Sequence, residues 1–179
     1  MNKIRVHDKD FELSIPADVI KQKVCAVAES INRDFCGESP LFLVVLNGAF
    51  VFAADLLRQI TLPNEVSFVK LSSYDGLASS GSVKEVLGLN VDISGRPVII
   101  VEDIVETGLT LSSLIQKLRT HCPKSIDICT LLLKPERLQV DMEIKYIAMT
   151  IPNDFILGYG LDYNGQGRGL KDIYTLSSH

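Results

Sequence analysis

A chain of 179 residues is long for one minimal domain and short for two full ones, so a single domain is expected. Hydrophobic residues make up 46% and charged residues 22%, the balance of a soluble globular protein. The formal net charge of -4 gives no electrostatic drive toward nucleic acid.

The most apolar stretch, residues 41–57, is interrupted by Asn47-Gly48 and carries Asp55, so it is too short and too broken to cross a bilayer. No membrane association is expected. A mean hydropathy of +0.21 leans apolar for this size and predicts buried subunit contacts, hence an oligomer. The first ten residues alternate charged and apolar side chains, unlike a secretory signal. Cys25, Cys36, Cys122 and Cys129 show no CxxC spacing and read as reduced thiols of a cytoplasmic protein. His7, His121 and His179 lie far apart, which gives neither a zinc site nor a Ser-His-Asp triad local support.

Taken in chain order, residues 4–15 read as a small hairpin turning at Asp8-Lys9-Asp10. Pro16 can open a helix in which Ile20, Val24, Val27, Ala28 and Ile31 recur at helical spacing. Residues 41–46 form a continuous apolar run, as expected of a strand buried on both faces. A helical stretch follows Asn47-Gly48-Ala49 and runs to about Arg58. Strands are predicted at 66–71 and 97–101, then a helix over 110–119 with Leu111, Leu114, Ile115 and Leu118 on one face. Further strands are predicted at 125–133, 144–149 and 155–157. Strands alternating with helices imply an α/β fold with a parallel sheet. Between residues 72 and 82, seven of eleven side chains are Ser or Gly, the composition of a mobile lid.

The chemistry concentrates in Val98-Ile99-Ile100-Val101-Glu102-Asp103-Ile104-Val105-Glu106-Thr107-Gly108-Leu109-Thr110. A buried strand ends in two carboxylates, then enters a helix through a Thr/Gly turn. Open α/β sheets place ligands at the carboxyl ends of their strands, and a helix start suits a phosphate. The pattern fits a sugar phosphate, with the diol on the carboxylates and the phosphate on the helix. It fits equally an acidic strand end before a threonine-capped helix, present for structure alone. No GxxxxGK[ST] occurs, and the glycines after residue 157 do not form a dinucleotide fingerprint.

The segment from Val101 to Thr110 closely resembles the PRPP-binding signature of hypoxanthine-guanine phosphoribosyltransferases, members of the type I phosphoribosyltransferase family. Four other segments resemble that family in order and spacing. Leu46-Asn47-Gly48-Ala49 is similar to its pyrophosphate loop, and Leu71-Ser72-Ser73-Tyr74 to the start of its catalytic lid. Leu133-Lys134 resembles the strand end bearing its base-contacting lysine. Phe155-Ile156-Leu157-Gly158-Tyr159-Gly160-Leu161-Asp162, with Arg168 beyond, resembles its 6-oxopurine pocket. The resemblance implies a Rossmann-like parallel core over about residues 36–150. It also implies a small hood from about 1–20 and 151–179, and a lid over about 72–84.

The resemblance further implies an Mg²⁺-dependent enzyme taking PRPP and a purine base, cytoplasmic, with homodimers or homotetramers as partners. Glu102 and Asp103 would hold the ribose hydroxyls directly or through Mg²⁺, and Asp162 a second Mg²⁺ or the base edge. Glu106, Thr107, Gly108, Leu109 and Thr110 would wrap the 5-phosphate, while Asn47 and Gly48 would bring backbone to the pyrophosphate. Lys134 would donate to the 6-oxo group, Phe155 would stack on the ring, Ile156 would border the base, and Arg168 would meet the leaving pyrophosphate. Ser73 and Tyr74 would close over the site. Glu106 departs from the aspartate that the family commonly uses as general base; the carboxylate is kept with one methylene more, and the base role is expected to persist. Leu109 replaces a lysine found in some members. The substitution at 106 leaves open a non-catalytic regulator that senses PRPP or nucleotide on the same fold. A phosphoacceptor signalling domain centred on Asp103 explains neither the helix entry nor the segment after Phe155.

Overall fold

A computed structural model describes residues 3–72 and 84–177 of the chain. Its larger sheet has six strands, in the order β5-β4-β3-β6-β7-β8. These are β3 (Leu41–Leu46), β4 (Glu65–Ser72), β5 (Lys84–Leu87), β6 (Pro97–Val105), β7 (Ser125–Leu133) and β8 (Tyr146–Thr150). All run parallel except β5, which pairs antiparallel at the edge. A second, antiparallel sheet has the order β1-β2-β10-β9. It joins the two ends of the chain through β1 (Lys3–Val6), β2 (Lys9–Ile15), β9 (Ile156–Leu157) and β10 (Ile173–Leu176).

The alternation of side chains along β3 explains why its run is apolar throughout. Phe42 and Val44 face one core with helices α1 (Ala17–Asp34) and α2 (Phe50–Leu57). Leu41, Leu43 and Val45 face another core with helix α3 (Leu109–Arg119). Period-2 geometry thus covers the strand on both sides. Fully burying a side chain such as Phe52 of α2 contributes about 2–3 kcal/mol. The first core continues into Ile156, Tyr159 and Ile173, so the smaller sheet is packed on the α1/α2 side of the larger one. Pro16 precedes helix α1 in extended conformation, and the Ala17 N–H is capped at 2.8 Å by the Asp172 carboxylate from the other end of the chain.

Three features differ from the expectations. Strand β6 runs four residues beyond 101, because its hydrogen bonds to β7 continue to Val105↔Leu133 after those to β3 stop at Val44↔Val101. Glu102 and Asp103 therefore sit inside the strand, on an edge that β3 has left uncovered. Strands β5 and β10 carry little periodicity and went unforeseen; their pairing partners call them into being. Strand β8 starts at Tyr146 rather than 144. Cys25, Cys36, Cys122 and Cys129 are free thiols, as expected. No helix among the described residues is long and apolar enough to cross a membrane.

The connections set the location of a site. From β3 the chain passes through α2 to β4 on one side, whereas from β6 it passes through α3 to β7 on the other. Beyond the carboxyl ends of β3 and β6 the loops therefore diverge and leave a crevice.

Candidate active site

That crevice is a cavity of about 420 Å³, lined by Asn47 and Gly48 after β3, and by Glu102, Asp103 and residues 104–108 of the β6–α3 passage. Thr110, Asp162 and Arg168 also line it. The turn into α3 depends on Gly108, whose φ of 76° is readily adopted by glycine. A Cβ there would also come within 2.7 Å of Val140. The Thr107 hydroxyl accepts from the Leu109 N–H at 3.4 Å, and the Ser112 N–H bonds to the Gly108 carbonyl at 2.8 Å, so the helix begins tightly against the cavity.

The peptide bond between Leu46 and Asn47 is cis. Gly48 rests directly on Asp103; a Cβ at residue 48 would collide with that carboxylate. Gly160 in turn abuts the Gly48 carbonyl with no room for a side chain. Two glycines thus stack the 158–162 loop, the 47–49 loop and the β6 carboxylates on one another.

The carboxylates are held at a cost. Burial raises the Glu102 acid well above the ordinary carboxylate range, with the Asp103 charge adding to it. The Glu102 Oε2 atom is buried without a hydrogen-bond partner. Burial likewise pushes Asp103 up to about 6, partly offset by the Ile104 N–H, which donates to it at 2.8 Å, and by the Arg168 guanidinium. Such orphaned, partly desolvated oxygens suit a cation or sugar hydroxyls. Among the described residues, no three His, Cys, Asp or Glu side chains converge to hold a metal unaided. That sparseness fits Mg²⁺, which takes one or two carboxylates and completes its shell with water and substrate oxygens.

Arg168 is fixed from two sides: it donates to the Gly160 carbonyl at 2.7 Å and pairs with Asp162 at 2.6 Å. Asp162 also accepts from the Gly165 N–H at 2.7 Å. Lys134, directly after β7, is 5% exposed, unlike the usual solvated lysine at a strand end, and its ammonium pairs with the Glu106 carboxylate.

The fold thus gathers Asn47, Gly48, Glu102, Asp103, Glu106, Thr107, Gly108, Thr110, Asp162 and Arg168 around one cavity, with Lys134 joined through Glu106. Leu109, Phe155 and Ile156 do not line it. Leu109 is exposed, and the Ile156 side chain is buried in the α1/α2 core. The Phe155 ring is 47% exposed, edge-on to Tyr163 at 5.6 Å. Ser73 and Tyr74 lie outside the described residues. Sequence reading missed the Lys134–Glu106 pair, which no local spacing signals, and the Gly48–Gly160 contact. The Gly-Tyr-Gly run was the visible hint of the latter.

Comparison with known proteins agrees with this geometry. Residues 16–164 match the family model described as phosphoribosyl transferase domain. The chain belongs to the phosphoribosyltransferase family. It is 41% identical over 169 residues to a hypoxanthine-guanine phosphoribosyltransferase of Mycobacterium tuberculosis, covering 90% of this chain and 84% of that protein. It is 39% identical over 165 residues to the hypoxanthine phosphoribosyltransferase of Salmonella typhimurium, covering 90% and 93%. Among solved structures, a Bacillus anthracis hypoxanthine-guanine phosphoribosyltransferase aligns with a TM-score of 0.88 and 40% identity. That alignment covers 93% of this chain and 97% of the other. The type I phosphoribosyltransferase fold follows from these likenesses together with the parallel sheet.

Proposed function

We propose that this enzyme of purine salvage transfers the 5-phosphoribosyl group of PRPP to N9 of a 6-oxopurine, hypoxanthine or guanine, releasing pyrophosphate and forming IMP or GMP. The observation that carries the reading is the cavity at the ends of β3 and β6, where two costly carboxylates, a helix start and Arg168 meet. Kinship with hypoxanthine phosphoribosyltransferases supports the choice of base.

Residues 106–110 at the start of α3 hold the 5-phosphate through backbone N–H groups and the Thr107 and Thr110 hydroxyls. Glu102 and Asp103 take the ribose hydroxyls and, with Asp162, are the residues that would hold Mg²⁺. When bound, Mg²⁺ neutralises charge on the departing diphosphate. Arg168 and the backbone of Asn47-Gly48 position that diphosphate for displacement at the anomeric carbon. Lys134 donates to the 6-oxo group, Phe155 stacks on the ring, and the backbone beside Ile156 borders the base. As the C1–N9 bond forms and the bond to pyrophosphate breaks, the Glu106 carboxylate takes the proton from N7. Ser73 and Tyr74 belong to the lid that excludes water. The antiparallel sheet of the chain ends serves as the hood over the parallel core. Exposed Phe50 and Phe68 support assembly into a homodimer or homotetramer, and the enzyme works in the cytoplasm.

A spectrophotometric assay with PRPP and Mg²⁺, offering hypoxanthine, guanine, xanthine, adenine and uracil separately, tests the reading. Turnover of a 6-oxopurine that a chelator abolishes is expected. PRPP binding without turnover of any base would replace it with a non-catalytic regulator.

A further inference from the structure

We propose that Tyr159 is a positioning residue for the diphosphate end of the site, acting through its hydroxyl bond to Asp55. The inference rests on the phosphoribosyl-transfer reading above and deepens it.

Tyr159 sits on the loop that carries Asp162 and leads to Arg168, whereas Asp55 sits on α2, which begins directly after the Asn47-Gly48 loop. The Tyr159 hydroxyl donates to Asp55 Oδ2 at 2.7 Å, and burial keeps the phenol protonated as the donor. The ring is 6% exposed and packed with the α1/α2 core. Its backbone has φ 49°, a left-handed conformation that a bulky side chain adopts only when its surroundings hold it there. The neighbouring residue, Gly160, bears on the Gly48 carbonyl, and Gly48 bears on Asp103. Gly160 also exchanges two hydrogen bonds with Arg168: its N–H donates to the Arg168 carbonyl at 2.9 Å, and the guanidinium donates to its carbonyl at 2.7 Å.

One side-chain bond therefore clamps the Arg168 loop onto the element that presents Asn47-Gly48. Neither Tyr159 nor Asp55 lines the reaction cavity. Loosening the clamp lets Gly160 lift from Gly48, which displaces Arg168 relative to Asp103. On the purine side Lys134 follows β7, and Phe155, although only four residues before Tyr159, is held separately by the β9–β10 pairing and by the Leu176 N–H, which donates to its carbonyl at 2.9 Å. The clamp therefore acts selectively on PRPP and pyrophosphate.

The test is steady-state kinetics in both directions on the full chain, hypoxanthine with PRPP and IMP with pyrophosphate. Tyr159→Phe keeps the ring and removes only the hydroxyl. It is expected to raise KM for PRPP and pyrophosphate by about tenfold, with KM for hypoxanthine changed by less than about twofold. Asp55→Asn, which can still accept the bond, is expected to match wild type. Asp55→Ala is expected to reproduce Tyr159→Phe, and the double variant to be no worse than either alone. Unchanged KM values in Tyr159→Phe and Asp55→Ala would overturn the proposal. So would equal changes for all substrates alongside a lowered Tm, the mark of a merely structural bond. Wild-type protein without turnover would instead overturn the transfer reading.

Discussion

The Lys134 ammonium donates to the Glu106 carboxylate, tying the end of β7 to the passage from β6 into α3. The partners are unequal: Lys134 is 5% exposed, while the Glu106 side chain is 41% exposed. A nearly buried cation is thus neutralised by a carboxylate that solvent and substrate can reach. On the proposed reading, a 6-oxopurine engaging both groups would exchange this one bond for two of its own.

Glu106→Gln removes the proposed proton acceptor together with the partner charge of Lys134. It should lower kcat with hypoxanthine by about a hundredfold or more. An unfolding free energy lower by about 1–2 kcal/mol is expected as well, since the buried ammonium loses its counter-charge. Glu106→Asp keeps the carboxylate and should retain kcat within about tenfold. Near-wild-type turnover by Glu106→Gln at saturating substrates would remove the general-base role.

Asp103 yields a stability prediction whose sign is unusual for a carboxylate. Its folded-state acid lies at about 6 rather than 3.8, mainly through burial, so the folded chain holds the proton more tightly than the unfolded chain. Its contribution therefore favours folding below about pH 4 and is lost as pH rises through 6. Asp103→Asn, which mimics the protonated form and can keep the bond from Ile104, should raise Tm at pH 7.5 and by only about half as much at pH 5. The gain should be on the order of 1–2 kcal/mol, discounted for partial solvation. The same variant should bind PRPP-Mg²⁺ weakly. Thermal melts at the two pH values and titration calorimetry measure both effects.

In the wild type, the proposed grip of Glu102 and Asp103 on a cation and on ribose hydroxyls is strongest with both carboxylates ionised. Affinity for PRPP-Mg²⁺ should therefore fall as pH drops through about 6, the Asp103 value, and the raised acid of buried Glu102 should add to the loss. Calorimetry in buffers of different ionisation enthalpy should detect proton release on binding near pH 6.

Gly48→Ala places a methyl group on the Asp103 carboxylate. The loop or the carboxylate must move, so KM for PRPP should rise by about tenfold or more. The cost to stability should be about 1–3 kcal/mol, as for other overpacked sites. Kinetics alongside denaturant unfolding separate the two.

Phe155→Ala tests the stacking role. The ring is half exposed, tilted against Phe11 at 6.1 Å and T-shaped to Tyr163 at 5.6 Å between centroids. Tm should change little, while KM for hypoxanthine should rise by about tenfold, the scale of a lost base–aromatic stack. An unchanged KM would mean that the ring belongs to the hood rather than to the base.

By itself the sequence determined the alternating α/β order, because β3, β6 and the apolar faces of α1 and α3 are written in local periodicity. It also marked Glu102 through Thr110, since adjacent carboxylates before a Thr/Gly helix entry are contiguous in the chain. Only the tertiary structure decided which distant groups share that site. Gly48, Gly160 and Asp103 meet because β3 and β6 are neighbours whose connections diverge, and Lys134 meets Glu106 because β7 pairs with the last residues of β6. Strand β10 and the Asp172 cap on α1 were hidden for the same reason. Periodicity reports what a segment does with its own neighbours, whereas pairing, burial and the raised acids of Glu102 and Asp103 arise only once remote segments exclude water from one another.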